Sequence, residues 1–427
     1  MRWLTQQNRI YKMNFTRKTE YWILATLAAA QFTHIVDFMI MMPMGDILQK
    51  VLEVSPFQYS LLVAAYPVAA FLSSLFGVFL LDRFDRRRAL LLAYAGFVLG
   101  TLSSAFIPNT SVPELNYYLF ILTRIITGLS GGILTALVLS IVGDVFPIER
   151  RGKAMGIVMS AFSLAAVLGV PIGLGLVNMF GGNWHPPFIM VGGLGLLVIV
   201  MIWFAIPSIT SHIKSGNVRP GPLKSIKNAA ALPNQQLALL FSLLLVLGQF
   251  SIIPFLTPYL INNVGFTQHQ IPYIYLVGGA CTAITSPLLG IAVDKFGRKK
   301  VFFIAAVLSL FPTLIITHLA QTEVWIVLIV VAFFFVLVGG RMIPANTLLT
   351  SVVKPENRGG FLSLNSSVMS LGSGLASVVG GSIVIQQSPG LPLENYGWVG
   401  IVACTSTIIA ILIATKLKEL DAKGNTV

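Results

Sequence analysis

Twelve stretches of about twenty mostly apolar residues, separated by short polar or basic segments, run through this chain. At 1.5 Å rise per residue, a helix of about 20 residues crosses the hydrocarbon layer of a bilayer. Inside that layer every backbone N–H and C=O must be satisfied within the chain, so only helices or a closed barrel can span it. Barrel strands alternate polar and apolar residues, and these runs do not. They lie at roughly 21–43, 57–81, 89–107, 117–143, 153–178, 187–206, 236–261, 271–293, 301–320, 324–351, 360–385 and 397–416. Composition agrees: 56% of residues are apolar and 10% charged, where soluble domains carry about a quarter charged. The expected fold is an all-α integral membrane protein of twelve transmembrane helices.

Basic residues orient the bundle. With the N-terminus inside, all of the 28 Lys and Arg except Lys50, Arg124 and Arg341 fall on inner segments or tails. That is the bias of the positive-inside rule. It predicts a multi-pass protein with both termini cytoplasmic, in a bacterial inner membrane, facing anionic lipid headgroups on the cytoplasmic side. The net charge of +13 is thereby dispersed over short loops, so nucleic acid is not expected as a partner. Cys281 and Cys404 lie in apolar stretches, without disulfide or metal-ligand spacing. The first stretch, too long for a signal-peptide core and lacking a small-residue cleavage site, is expected to be retained.

A short phrase occurs twice. Asp82-Arg83-Phe84-Asp85-Arg86-Arg87-Arg88 follows the second stretch, and Asp294-Lys295-Phe296-Gly297-Arg298-Lys299-Lys300 follows the eighth, 212 residues later. A second echo, Pro147-Ile148-Glu149-Arg150-Arg151-Gly152 against Pro355-Glu356-Asn357-Arg358-Gly359, places Arg151 and Arg358 207 apart. Two motifs with nearly one offset imply two six-helix bundles related by a pseudo-two-fold axis along the membrane normal, with a cavity between them. The expected organisation is a tail at 1–20, a bundle at 21–207, a linker at 208–233, a bundle at 234–416 and a tail at 417–427. The linker is polar, basic and rich in Pro and Gly, and 223–227 has the pattern of a short surface helix.

These residues resemble the major facilitator superfamily, whose loop signature is Gly-x-x-x-Asp-Arg/Lys-x-Gly-Arg-Arg/Lys. Gly290, Asp294, Lys295, Gly297, Arg298 and Lys299 fit it; the first copy has Val78 and Asp85 at the two glycine places. Arg124-Ile125-Ile126-Thr127-Gly128 is similar to the Arg-x-x-x-Gly motif of proton-coupled members. Leu168-Gly169-Val170-Pro171-Ile172-Gly173, followed by Trp184 and Phe188, resembles an element of sugar-efflux and drug-efflux permeases. The resemblance implies alternating access and favours proton antiport. It also implies a relay among Asp82, Arg83, Asp144 and Arg86, mirrored at Asp294, Lys295 and Arg298, that latches the cytoplasmic ends; topology-setting charge is the plainer alternative.

Ionisable groups inside lipid are costly and so mark function. Asp37, His34 and Gln31 share one face of the first span at i, i+3 and i+6, a face expected to line the cavity. Arg124 lies at similar depth in the fourth span, and the resemblance implies that the first and fourth helices both line the cavity, where the two could meet. Either Asp37 exchanges a proton as the cavity opens and closes, or the pair only fixes helix packing. His34 titrates or hydrogen-bonds while neutral, and Gln31 touches substrate or glues helices. Arg341 binds an anionic substrate, closes the inner gate or snorkels. Tyr66, Gln249, Tyr259, Tyr275, Asn346 and Asn365 are polar candidates for the cavity. The many Phe and Met are read as lipid-facing or core, not as a ligand lining.

The leading expectation is a monomeric secondary transporter that exports a small organic compound, drug-like or sugar-like, against a proton. The alternatives are a proton symporter or facilitator importing a metabolite, and a non-transporting receptor or scaffold. No constellation suggests an enzyme, a metal or a cofactor.

Overall fold

The computed structural model describes residues 16–81, 84–108, 112–210, 230–354 and 358–420. Helices dominate, and twelve of them, among the described residues, are long and apolar enough to cross a membrane. The first half contains α1 (Arg17–Ile40), a short α2 (Gly45–Leu52), α3 (Pro56–Leu81), α4 (Arg86–Ala105) and α5 (Pro113–Val145). Its fifth span is α6 (Ile148–Leu164), a π-helical turn (Ala165–Gly169) and α7 (Val170–Met179); α8 (Pro186–Ala205) is the sixth. In the second half, α9 (Pro233–Phe250), α10 (Ile253–Tyr259) and a π-turn (Leu260–Val264) make the seventh span. There follow α11 (Ile271–Phe296) and α12 (Arg298–Thr317), then α13 (Val324–Phe334), a π-turn (Phe335–Gly339) and α14 (Met342–Ser351) as the tenth span. Then come α15 (Arg358–Ile383) and α16 (Tyr396–Lys416). The helix expected at 223–227 lies outside the described residues.

The two copies of the repeated phrase turn the chain by different means. Gly297 has φ +86°, a conformation that side chains rarely adopt, and there α11 stops and α12 begins. At the matching place Asp85 keeps φ −55° and caps α4 instead, its carboxylate accepting from the Arg87 N–H. An N-cap replaces a left-handed glycine, so the first copy loses its glycine without losing its turn.

With an even number of crossings, both described ends of the chain lie at one end of the bundle, here the terminus end. At the opposite, far end the halves share one core: Ile40, Leu48, Tyr59, Phe120 and Phe188 join Phe255, Leu260, Ile274, Val331 and Tyr396. Polar bonds cross it too. Asn262 in the seventh span donates to the buried Asp46 of α2 at 2.8 Å, while Lys50 pairs with the other oxygen of Asp46. At the terminus end each half keeps a core of its own, around Leu90, Leu137 and Ile202 in the first and Phe241, Phe302 and Leu348 in the second. The protein is therefore shut at the far end and parted at the terminus end.

The parting is uneven. The second and eleventh spans stay together, with Gly381 against Ser60, Gly374 against Val68 and Ser74 bonded to Ser367 at 2.8 Å. The fifth and eighth meet at mid-depth, where Gly279 lies against Ala166 and Val167. Beyond that point a Cβ added to Gly152 or Gly156 of α6, or to Gly290 of α11, would meet nothing within 4 Å.

Within the first half, α5 presses its glycines onto α3: a Cβ on Gly128 would collide with the Tyr66 carbonyl, and one on Gly132 with that of Ala70. Such backbone approach is what small residues permit between membrane helices. Gly128→Val is expected to lower the melting temperature sharply or to abolish a monodisperse peak in detergent, since overpacking costs about 1–3 kcal/mol or more. Gly143→Val on the same helix, where a Cβ meets nothing within 4 Å, is expected to leave both unchanged.

Candidate functional site

The sequence places Gln31, His34 and Asp37 on one face of α1, and the fold packs that face against α3, α4 and α5. Asp37 is 0% exposed and Arg124 1%. Arg124 Nη1 donates to Asp37 Oδ2 at 2.7 Å, and Thr101 of α4 donates from Oγ1 to the other oxygen at 3.0 Å. The guanidinium also sits over the Tyr66 ring, 4.9 Å from its centre, a favourable place for a cation. Both carboxylate oxygens are thus held by donors from neighbouring helices. Breaking such a buried pair by removing one partner costs about 3–5 kcal/mol.

The efflux-permease-like stretch sets this geometry from behind. Gly169 abuts Val36, and a Cβ on Gly173 would stand 2.7 Å from Ile40 Cδ1, so the fifth span holds α1 on either side of Asp37. Trp184 and Phe188 pack on Phe120 of α5, at ring distances of 4.9 and 5.7 Å. One side of the pair remains chemically open. Arg124 Nε, the Tyr66 hydroxyl, His34 Nδ1 and Gln31 Oε1 are buried without hydrogen-bond partners. Tyr66 and His34 converge above Gly131, where an added Cβ would strike both. His34 is itself partly exposed.

Arg341 lies elsewhere. It is 2% exposed and points into the second half, where its Nη1 donates to Ser309 of α12 at 3.0 Å and Thr407 of α16 at 2.8 Å. Its partners are hydroxyls from the helices behind it.

At the terminus end Arg86 and Asp144 meet at 3.2 Å; Asp82 and Arg83 lie outside the described residues. Asp294 is exposed, and Lys295 rests over the Phe296 ring at 5.3 Å. Arg298 pairs with Glu419 at 2.5 Å, and Lys299 donates to the Leu417 carbonyl at 2.8 Å. In the first half the anchor is Asp85, which accepts from Ser208 Oγ at 2.6 Å and the Ile209 N–H at 2.9 Å. Each loop therefore ties down the segment leaving the sixth span of its own half. Glu419 and Ser208 escaped the sequence reading, since a lone acid in a tail and a lone serine in a linker carry no periodic signal.

Between the halves, against the shared core, lies a pocket of about 780 Å³ counted out to its mouth. Its aromatic walls are Phe38, Phe162, Phe250, Tyr275, Phe334 and Phe335, with Met39 and Met42 beside them. These Phe and Met residues were expected in lipid or core, and the structure moves them to the cavity. Gln249 and Tyr275, named from sequence as cavity candidates, do line it; Asp37, Arg124 and Arg341 do not. Two of the three π-turns run along its wall, one from each half. π-turns inside helices are frequent at functional sites.

A family model described as Major Facilitator Superfamily matches residues 27–251 and 238–426. An uncharacterised MFS-type transporter of Bacillus subtilis is 24% identical over 331 residues, 77% of this chain and 79% of that one. A probable sugar efflux transporter of Helicobacter pylori is 25% identical over 355 residues, 82% of this chain and 84% of its own length. The xylose transporter of E. coli, in a partially occluded inward open conformation, superposes with a TM-score of 0.75 at 17% identity. That match covers 95% of this chain and 99% of that one, and shows a common fold.

The Asp85 anchor has a pH signature. Partial burial pushes its carboxyl up, but bonds from Ser208, Ile209 and Arg87 and the charge of Arg88 outweigh this and hold it below the ordinary 3.8. A group lowered on folding stabilises fully above its ordinary value, and the contribution fades as pH falls through the folded value. Amide exchange at Ile209 and Arg87 is expected to quicken in Asp85→Ala at neutral pH, and in the wild type only below about pH 4.

Proposed function

The chain belongs to the major facilitator superfamily, and from that premise we propose that it is a proton-coupled exporter of a small organic compound. It works by alternating access in a bacterial inner membrane, with both termini cytoplasmic. Relatives named as sugar efflux transporters support the outward direction, and the basic bias of the terminus end supports the orientation. On that orientation the parted end faces the cytoplasm, and the pocket awaits cargo from inside.

The observation that carries the proposal is the Asp37–Arg124 pair, a carboxylate and a cation sealed together in the dry interior of the first half. A carboxylate paired with one guanidinium loses that pairing when it takes up one proton, which releases the guanidinium. The open side of the pair, along Tyr66, His34 and Gln31, is the edge from which a proton can approach. Thr101 donates to Oδ1 while Arg124 holds Oδ2. Protonation and release of Asp37 on opposite sides of the membrane would then drive the halves through their cycle. The loop charges latch the cytoplasmic ends in the opposite state; in the present state Arg86 pairs with Asp144 and Arg298 with Glu419, each within its own half.

Inside-out membrane vesicles carrying the protein test this, with radiolabelled chloramphenicol and xylose as cargo. An acid lumen is expected to drive uptake of at least one of them several-fold above the level left by an uncoupler. Asp37→Asn is expected to reduce uptake to that uncoupled level, with Arg124→Lys intermediate because it keeps charge but loses the planar fork. Full gradient-dependent uptake by Asp37→Asn would remove Asp37 from the coupling role. Accumulation that requires the reverse gradient would make the protein a symporter.

A further inference from the structure

We infer that the central pocket binds a neutral, largely apolar aromatic molecule and not a sugar. The inference rests on reading the chain as a transporter of small organic compounds, but not on its direction or its coupling to protons.

The lining decides the charge first. Side chains from both halves enclose the pocket, and among the described residues that line it there is no Asp, Glu, Lys, Arg or His. The nearest membrane-buried charges are spent or turned away. Asp37 and Arg124 neutralise each other behind α1, and Arg341 faces Ser309 and Thr407. A cation or an anion entering this space would shed its hydration without meeting an opposite charge, which is prohibitive. A neutral cargo avoids that penalty.

Hydrogen bonding decides between the neutral classes. Four lining side chains can bond through a hydroxyl or amide: Ser163, Gln249, Tyr275 and Thr282. Tyr275 already shares its hydroxyl with Thr257 at 3.2 Å, and Thr282 donates its own to the Gly278 carbonyl at 2.8 Å. Both hydroxyls keep acceptor capacity, but each is tied to a partner, and Ser163 and Gln249, one from each half, are the two lining groups not already committed. A sugar carries a hydroxyl on nearly every carbon, and each one buried without a partner weakens binding about five- to hundred-fold. Two uncommitted groups and two partly used hydroxyls do not match the many hydroxyls of a sugar, but they can orient a molecule with a single polar end.

Shape and surface favour an aromatic ligand. Phe38 and Phe250 approach from opposite halves, 5.9 Å between ring centres, and Tyr275 meets Phe335 edge-on at 6.0 Å. Rings in these attitudes offer both faces and edges to a further ring. Met39 and Met42 add adaptable thioether surface. The π-turns widen the fifth and tenth spans where they border this space, from opposite sides.

The test is equilibrium binding to purified protein in nanodiscs without any gradient, with empty nanodiscs subtracted. The probes are N-phenyl-1-naphthylamine, a neutral fluorescent aromatic, and radiolabelled xylose. Saturable binding of the aromatic probe is expected, undisplaced by xylose. Phe250→Ser and Phe335→Ser are expected to weaken it about tenfold. Gln249→Leu, which removes hydrogen bonding but keeps apolar surface, is expected to stay within about threefold of wild type. Saturable xylose binding that is lost in Gln249→Leu overturns the inference, as does the absence of saturable binding of the aromatic probe. Because no gradient is present, either result leaves the role of Asp37 in coupling to be judged by vesicle uptake alone.

Discussion

A carboxylate and a guanidinium held 2.7 Å apart where water does not reach set the terms for everything around them. Each ion alone would be intolerable in that interior, and together they are tolerable only when their remaining donors and acceptors are largely met. That demand explains the company they keep: Thr101 on the second oxygen, the Tyr66 ring under the guanidinium, and glycines on α5 and the fifth span that let the backbones come close enough. The first half is built around this pair. The second half has no matching pair among its described residues; its buried cation, Arg341, is met by hydroxyls alone. The duplication preserved the scaffold and confined the carboxylate to one side of the cavity.

Architecture was legible in the sequence because the bilayer imposes it. Spans of about 20 apolar residues have few folds open to them, and the described residues contain twelve helices long and apolar enough to cross a membrane. The meeting of Asp37 with Arg124 was legible too, from depth counting together with the family resemblance that brings the first and fourth spans to one cavity. The pocket was not. Phe38, Phe250 and Phe335 look like any other phenylalanine in an apolar run, and only the contact between halves turns them toward a cavity. Composition gives lipid-facing and cargo-facing apolar residues the same letters. Polar residues were no better guides: Gln249 lines the pocket, Asn365 is buried with its Oδ1 unpartnered, and Asn346 is exposed.

The repeated loops show how one motif can persist while its parts change. Gly297 turns the chain by conformation, and Asp85 by capping the helix that follows. Arg298 reaches an acid in the trailing segment, whereas in the first half the acid is in the loop and the trailing segment supplies a hydroxyl and an N–H. Charge and polarity have exchanged places across the repeat, and the mechanical result is the same. In both halves the exit of the sixth span is moored to the turn between its second and third.

The uneven parting of the halves has a mechanical consequence. The second and eleventh spans remain in contact from Ser60 and Gly381 down to Ser74 and Ser367, while the fifth and eighth separate below Gly279. Two bodies joined along one edge do not slide or separate evenly; they swing about that edge like the covers of a book. Displacement then grows with distance from the joined line, so it is greatest at the terminus-end portions of α6 and α11. The spine is small-sided, with serines and glycines at its contacts that let the two helices lie close. The fore-edge opens below the contact of Gly279 with Ala166, and both of those residues border the pocket, so the pocket lies at the line where the halves begin to part.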